Sequence, residues 1–149
     1  MDELVRKLTA LHTSLVDARS GYEEGLKDAH GKGLAPLFSE LMIVHEQDAG
    51  AIARQLERLG APVHGGSLMG TLDRAVMKIT SLMTELDEKV LPSLIDGERR
   101  VLAHYDDAVK ASAPDRPEYP ILVAQRDALA QRVARMGERV KMSERANRA

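Results

Sequence analysis

The sequence predicts an all-α fold, an antiparallel four-helix bundle, and three observations carry that expectation. Apolar residues recur every three or four positions through each long segment, the spacing that keeps one stripe of a helix against a partner. Glycine and proline stand between those segments, where helices end. Aromatic residues make up only 3% of the 149-residue chain, three Tyr and one Phe with no Trp, so the core must be built from Leu, Val, Ile, Met and Ala. β-type alternation, internal repeats and low-complexity tracts do not occur.

The first helix is read from Leu4, Leu8, Leu11, Leu15, Ala18, Tyr22 and Leu26, with Asp2 and Glu3 suited to its positive N-terminal end. Gly31-Lys32-Gly33 closes it. In the second helix Pro36 stands in the first turn, and the stripe runs Leu37, Leu41, Val44, Asp48, Ile52, Leu56 and Leu59. Gly60 and Pro62 give the stop, and the short turn that follows sets the first two helices antiparallel. Ser67 suits the N-cap of a third segment carrying Leu68, Leu72, Val76, Ile79, Met83 and Leu86. Pro92, which lacks an amide hydrogen and crowds the preceding turn, predicts a break or kink there. The pattern resumes with Leu91, Ile95, Glu98, Leu102, Tyr105 and Val109. Three prolines between Ala111 and Pro120 make a loop, and a last helix from about Ile121 carries Leu122, Gln125, Leu129, Val133, Met136 and Val140. Residues 1–141 read as a single domain and the polar residues 142–149 as a frayed tail.

Composition narrows the function classes. A net charge of −2 with 30% charged residues argues for neither nucleic acid nor an anionic membrane. Zero cysteines exclude disulfides, thiolate metal sites and Cys nucleophiles. The N-terminus has no signal-peptide pattern and no stretch approaches the ~20 apolar residues of a spanning helix, so the cytoplasm is the expected location. Arg126, Arg132, Arg135, Arg139, Lys141, Arg145 and Arg148 form a basic strip on the last helix, but without aromatic platforms it reads as a solvated face. Gly65-Gly66-Ser67 lacks the strand and spacing of a nucleotide loop and reads as a cap. No serine sits in a nucleophile turn, and the expectation is that the protein is not an enzyme.

The informative residues are polar groups where a Leu would be expected. Tyr22 lies on the first seam, with Glu23 beside it; Asp48 lies on the second, with His45 sharing its face; Glu98 and Tyr105 stand seven residues apart on one face; Gln125 holds a similar place in the last helix. Tyr22, Glu98, Tyr105 and Gln125 are expected to form an interior polar cluster, with Glu98 hydrogen-bonded because a bare carboxylate in an apolar bundle is costly. Carboxylates converging from facing helices are also the layout of a metal site. A di-iron centre of that type takes a Glu-x-x-His motif from each of two helices. The residues three before His12, His30, His45, His64 and His104 are Thr9, Lys27, Met42, Ala61 and Val101, none of them Glu. A reduced site on Glu23, Glu40, His45, Asp48 and Glu98, holding a single Fe, Mn or Zn ion, is what the spacing leaves open. The remaining histidines read as boundary or turn residues, His12 among them.

Several dispersed stretches carry a family resemblance: Gly21-Tyr22-Glu23-Glu24, Leu37-Phe38-Ser39-Glu40-Leu41, Leu59-Gly60-Ala61-Pro62, Gly66-Ser67-Leu68, and Gly97-Glu98 followed by Tyr105 and Gln125. From Leu4 to Glu138 the chain resembles a bacterial ferritin-like family of unknown function, distantly similar to rubrerythrin and ferritin. The resemblance implies a ferritin-like four-helix bundle in proteins often linked to stress responses and without an assigned activity. Carried over position by position, the matching polar residues are Tyr22, Glu23, Glu40, Glu98, Tyr105 and Gln125. The chain departs from the family's pattern at Asp73 and at Ala130-Gln131, where such proteins commonly carry His, and both departures weigh against a retained metal centre. The leading expectation is a structural or stress-associated bundle. That bundle is open to pairing as a homodimer; a metal-binding protein or oxidase, and an interaction module that binds another protein through an exposed helix face or the basic last helix, are the alternatives.

Overall fold

In the computed structural model the described residues are 2–27, 33–63 and 88–148, and all of their regular structure is helical. Helix α1 spans Asp2–Lys27 and α2 spans Ala35–Arg58. A 3₁₀ turn at Glu88–Val90 leads into α3, Leu91–Ala111, and α4 spans Glu118–Arg148. Helix α1 packs against both α2 and α3, and α3 packs against α4. The expected helix from Ser67 to Leu86, with Asp73, His64 and the Gly65-Gly66-Ser67 cap, lies outside the described residues, as does His30.

Local chemistry sets the boundaries. Gly33 has φ 59° and hands the chain to Leu34, whose carbonyl accepts from the Phe38 amide at 2.9 Å. Pro36 occupies the first turn of α2, where its missing amide hydrogen costs nothing. At the other end the Ala61 amide donates to the Leu56 carbonyl and the Gly60 amide to Glu57, each at 2.9 Å. With Gly60 at φ 73°, this is the paired closure that needs a left-handed residue just past the helix. Pro92 sits in the first turn of α3, immediately after the 3₁₀ turn, so at this proline a helix is starting.

The last helix is longer than the sequence pattern suggests at both ends. It starts at Glu118, so the proline loop closes three residues earlier than Ile121, and Pro120 falls within the first turn. It also continues to Arg148, whereas the polar composition after Lys141 predicts fraying. The residues beyond Val140 are largely exposed, Met142 at 66%, so this stretch rests on helix propensity and not on burial.

The core follows the seams, shifted by one residue in two places. On α1 the buried line is Leu4, Leu8, Leu11, Leu15 and Tyr22, as expected. On α2 it passes through Phe38, Leu41, His45, Ala49, Ile52 and Leu56, leaving Leu37, Val44, Asp48 and Leu59 half-buried at the edge. On α3 Val101 and Ala108 are central and Leu102 and Val109 flank them. A stripe about 100° wide admits two adjacent lines of residues. Close contact between helices places the central line, and no single-helix pattern reports it. Among the described residues no helix is long and apolar enough to cross a membrane.

Candidate functional site

All four described helices send a polar side chain inward, and the six groups fall into two connected trios. In the first, the Tyr22 hydroxyl of α1 donates to Glu98 Oε1 of α3. His45 Nε2 of α2 lies 2.9 Å from Oε1 and 3.0 Å from Oε2 of the same carboxylate. His45 is 0% exposed and Glu98 1%, and Tyr22 is buried beside them. The imidazole lies face to face with the Tyr22 ring, centroids 5.9 Å apart and planes at 15°. The Phe38 ring also meets the Tyr22 ring, in a T-shaped contact with centroids at 5.1 Å and planes at 76°.

Two donors therefore converge on one buried carboxylate, which is how a buried charge becomes tolerable. The tautomer follows from these partners: Nε2 carries the hydrogen that Glu98 accepts, and Nδ1 has no hydrogen-bond partner among the described residues. Burial, reinforced by the Glu98 charge and by the hydrogen bond to it, pushes the Tyr22 phenol well above its ordinary range.

The second trio lies further along the same interior. Tyr105 is fully buried, and its hydroxyl is 2.9 Å from Gln125 Oε1 of α4 and 3.4 Å from Asp48 Oδ2 of α2. Asp48 stands one turn after His45, so α2 feeds both trios, and α3 does the same through Glu98 and Tyr105. Burial, with the charges of Asp48 and Glu98 adding to it, raises the Tyr105 phenol. The Asp48 carboxyl is raised by burial, with His45, the Tyr105 hydroxyl and Arg132 offsetting part of the effect.

That shift has a sign that can be tested. A carboxyl whose pKa is raised in the fold binds its proton more tightly folded than unfolded, so its ionisation opposes folding. The penalty is absent below the ordinary carboxylate range and fully present above the raised value. Asp48→Asn keeps an acceptor for Tyr105 and removes the charge. It is expected to raise the unfolding midpoint at neutral pH, with the two proteins converging as the pH falls into the ordinary carboxylate range. Denaturant unfolding across that pH series checks it.

The remaining residues of the expected metal set lie elsewhere. Glu23 is ion-paired with Arg19 at 3.0 Å on the flank of α1. Glu40 is exposed on α2 and paired with Arg132 of α4. The structure thus brings His45, Asp48 and Glu98 to the interior and keeps Glu23 and Glu40 in surface ion pairs. Among the described residues, no group of three or more His, Asp or Glu side chains is placed to hold a metal ion.

Among the described residues three buried ionisable groups, His12, Asp17 and Glu118, escape the sequence pattern. His12 is buried on α1, and burial lowers its pKa, where the sequence suggests a boundary residue. Glu118 is 0% exposed at the start of α4, held by Arg58 at 3.2 Å and Arg116 at 3.1 Å. Its burial acts upward, but the hydrogen bonds from Arg116 and from its own backbone amide, with the charges of Arg116 and Arg58, bring it below its ordinary value. An acidic residue between Pro117 and Pro120 is a helix-start signal, and that reading would have placed the start of the helix but not the burial of Glu118.

Residues 3–111 match the family described as a domain of unknown function, DUF2383, and the chain belongs to that family. The match spans α1 to α3 and stops before α4. No curated protein and no solved structure matches the chain.

Proposed function

We propose that this member of the DUF2383 family is a single-domain, antiparallel, ferritin-like helical bundle of the cytoplasm whose interior polar ladder is structural. Its role is then non-enzymatic and stress-associated, as the resemblance implies, and it carries no di-iron centre. The observation that supports this most is the commitment of Glu98: both of its oxygens are engaged by His45, and Oε1 also accepts from Tyr22. Buried polar groups satisfied by one another fix which helices meet and in what register, a use well attested in helical assemblies.

The antiparallel arrangement is supported by which ends meet. Tyr22, late in α1, contacts Phe38, early in α2, while Arg19 reaches Glu46 at 3.5 Å. Lys7 pairs with Asp107 at 3.9 Å whereas Tyr22 reaches back to Glu98. Between α3 and α4 the pairs are Asp106 with Arg126 at 3.7 Å, and Glu88, just ahead of α3, with Arg139 at 3.0 Å.

Two observations favour a second reading, a mononuclear divalent-ion site: His45 Nδ1 is buried without a partner among the described residues, and Asp48 one turn on is a partly desolvated carboxyl. Anaerobic iron titration followed by oxygen separates the two. The structural bundle is expected to bind no stoichiometric pair of irons and to develop no oxo-bridged absorbance. Two irons per chain with rapid oxidation would overturn it. A single stoichiometric ion, lost in His45→Ala, would favour the second reading.

A further inference from the structure

We infer that Tyr22 is a buried one-electron donor whose phenolic proton passes to Glu98 as the electron leaves, giving the fold a sheltered site for trapping one-electron oxidants. The chain has no Cys and no Trp, so the three tyrosines are its only side chains of the Cys, Trp and Tyr set that supply protein radicals by one-electron loss. Tyr22 and Tyr105 are buried, whereas Tyr119 is partly exposed at the start of α4.

A phenol held this far inside cannot ionise first. Burial and the adjacent Glu98 charge favour the neutral form, so removing an electron alone would leave a cationic radical in an apolar core. The proton must leave with the electron, and that requires an acceptor already in contact. The Tyr22 hydroxyl donates directly to Glu98 Oε1, and the His45 Nε2–H on the same carboxylate holds it in position. The products are a neutral phenoxyl radical and a neutral carboxylic acid, so no charge is created in the core. Tyr22 is buried and the rings of His45 and Phe38 pack against it, which shields it from the radical–radical coupling that consumes exposed tyrosyl radicals.

The class of oxidant suited to this site is an oxygen-centred radical such as an organic peroxyl. The peroxyl radical gains the electron and takes one proton from solvent, leaving as the hydroperoxide. Tyr22 loses the electron, its O–H bond breaks, and Glu98 Oε1 gains that proton. Tyr105 is the less suited of the two, because its hydroxyl lies nearer the neutral Gln125 amide at 2.9 Å than Asp48 at 3.4 Å.

The test uses the full chain with photogenerated ruthenium(III) tris-bipyridine as oxidant and a cobalt(III) ammine as the irreversible acceptor. Electron paramagnetic resonance and transient absorbance follow the radical. The parent is expected to give a long-lived tyrosyl signal that Tyr105→Phe and Tyr119→Phe retain and Tyr22→Phe loses. Glu98→Gln, which offers no carboxylate to receive the proton, is expected to lower the yield while Tyr22 remains in place. Circular dichroism and melting curves, run on every variant, establish that each is folded. A long-lived signal that persists in folded Tyr22→Phe would overturn the assignment, and so would an unchanged yield in folded Glu98→Gln. If Glu98→Gln does not fold, His45→Gln replaces it, and a radical lifetime equal to the parent's then counts against the assignment.

Discussion

Replacing Glu98 with alanine is expected to lower the free energy of unfolding by about 3–5 kcal/mol, since it strands two buried donors at roughly 1–3 kcal/mol each and leaves a cavity. The Tyr22 hydroxyl and His45 Nε2–H both terminate on this one side chain, and water has little access to either. Among the described residues the His45 ring has no second hydrogen-bonding anchor, because none of them pairs with its Nδ1. The amide in Glu98→Gln preserves the shape and one acceptor oxygen, so that variant should lose clearly less than the alanine. Urea unfolding followed by circular dichroism measures both. An alanine variant that melts like the parent would remove the basis for treating the trio as a structural element.

The contrast between the seams and the trios shows what a sequence can report. The Leu4, Leu8, Leu11 and Leu15 line was legible because burial of a regular apolar stripe is a property of one helix. Glu98 and Tyr105 were legible for the same reason inverted, as polar residues in positions where the stripe demanded Leu. Their partners were only half legible. Gln125 is in fact the acceptor of Tyr105, but the choice of His45 over Asp48 as the Glu98 partner depends on how α2 is rotated. That rotation is fixed by Phe38 and Ala49 in the central line, where the pattern of leucines alone pointed one residue earlier.

Glu23 and Glu40 illustrate the opposite limit. Both satisfy the spacing of helix-borne ligands, and both are held outward by cations that the spacing does not mention, Arg19 on the same helix and Arg132 on another. Glu118 was hidden by its neighbours: three prolines in ten residues signal a loop, while a carboxylate at a helix start between two guanidinium groups needs the tertiary structure to bring Arg58 close. Composition thus reports which residues can be buried, and packing decides which polar groups meet.

Phe38, the only phenylalanine in the chain, sets the position of the first trio, and its truncation is expected to be the second large loss. It is buried, and its ring meets Tyr22 edge-on at 5.1 Å. It also lies directly on the backbone of α1: a Cβ built on Gly25 would stand 2.6 Å from Phe38 Cε2 and 2.9 Å from Cδ2. Carbon atoms at rest sit about 3.5–4.0 Å apart, so the glycine is required by the approach of α2 and not by its own dihedral angles. Phe38→Ala should cost about 3–5 kcal/mol and release the Tyr22 ring from one side. Gly25→Ala gains roughly 1 kcal/mol of helix propensity. The clash, at about 1–3 kcal/mol for an overpacked core, is expected to exceed that gain and leave the variant less stable than the parent. The two positions must then be coupled. In a Phe38→Leu background the ring edge is absent, so the added methyl at position 25 should be tolerated, with an interaction energy of about 0.5–3 kcal/mol across the cycle. Chemical denaturation of the four proteins measures it directly. Additive effects would mean that α1 and α2 can separate freely at this point, and that the Tyr22–Glu98 geometry is held by the hydrogen bonds alone.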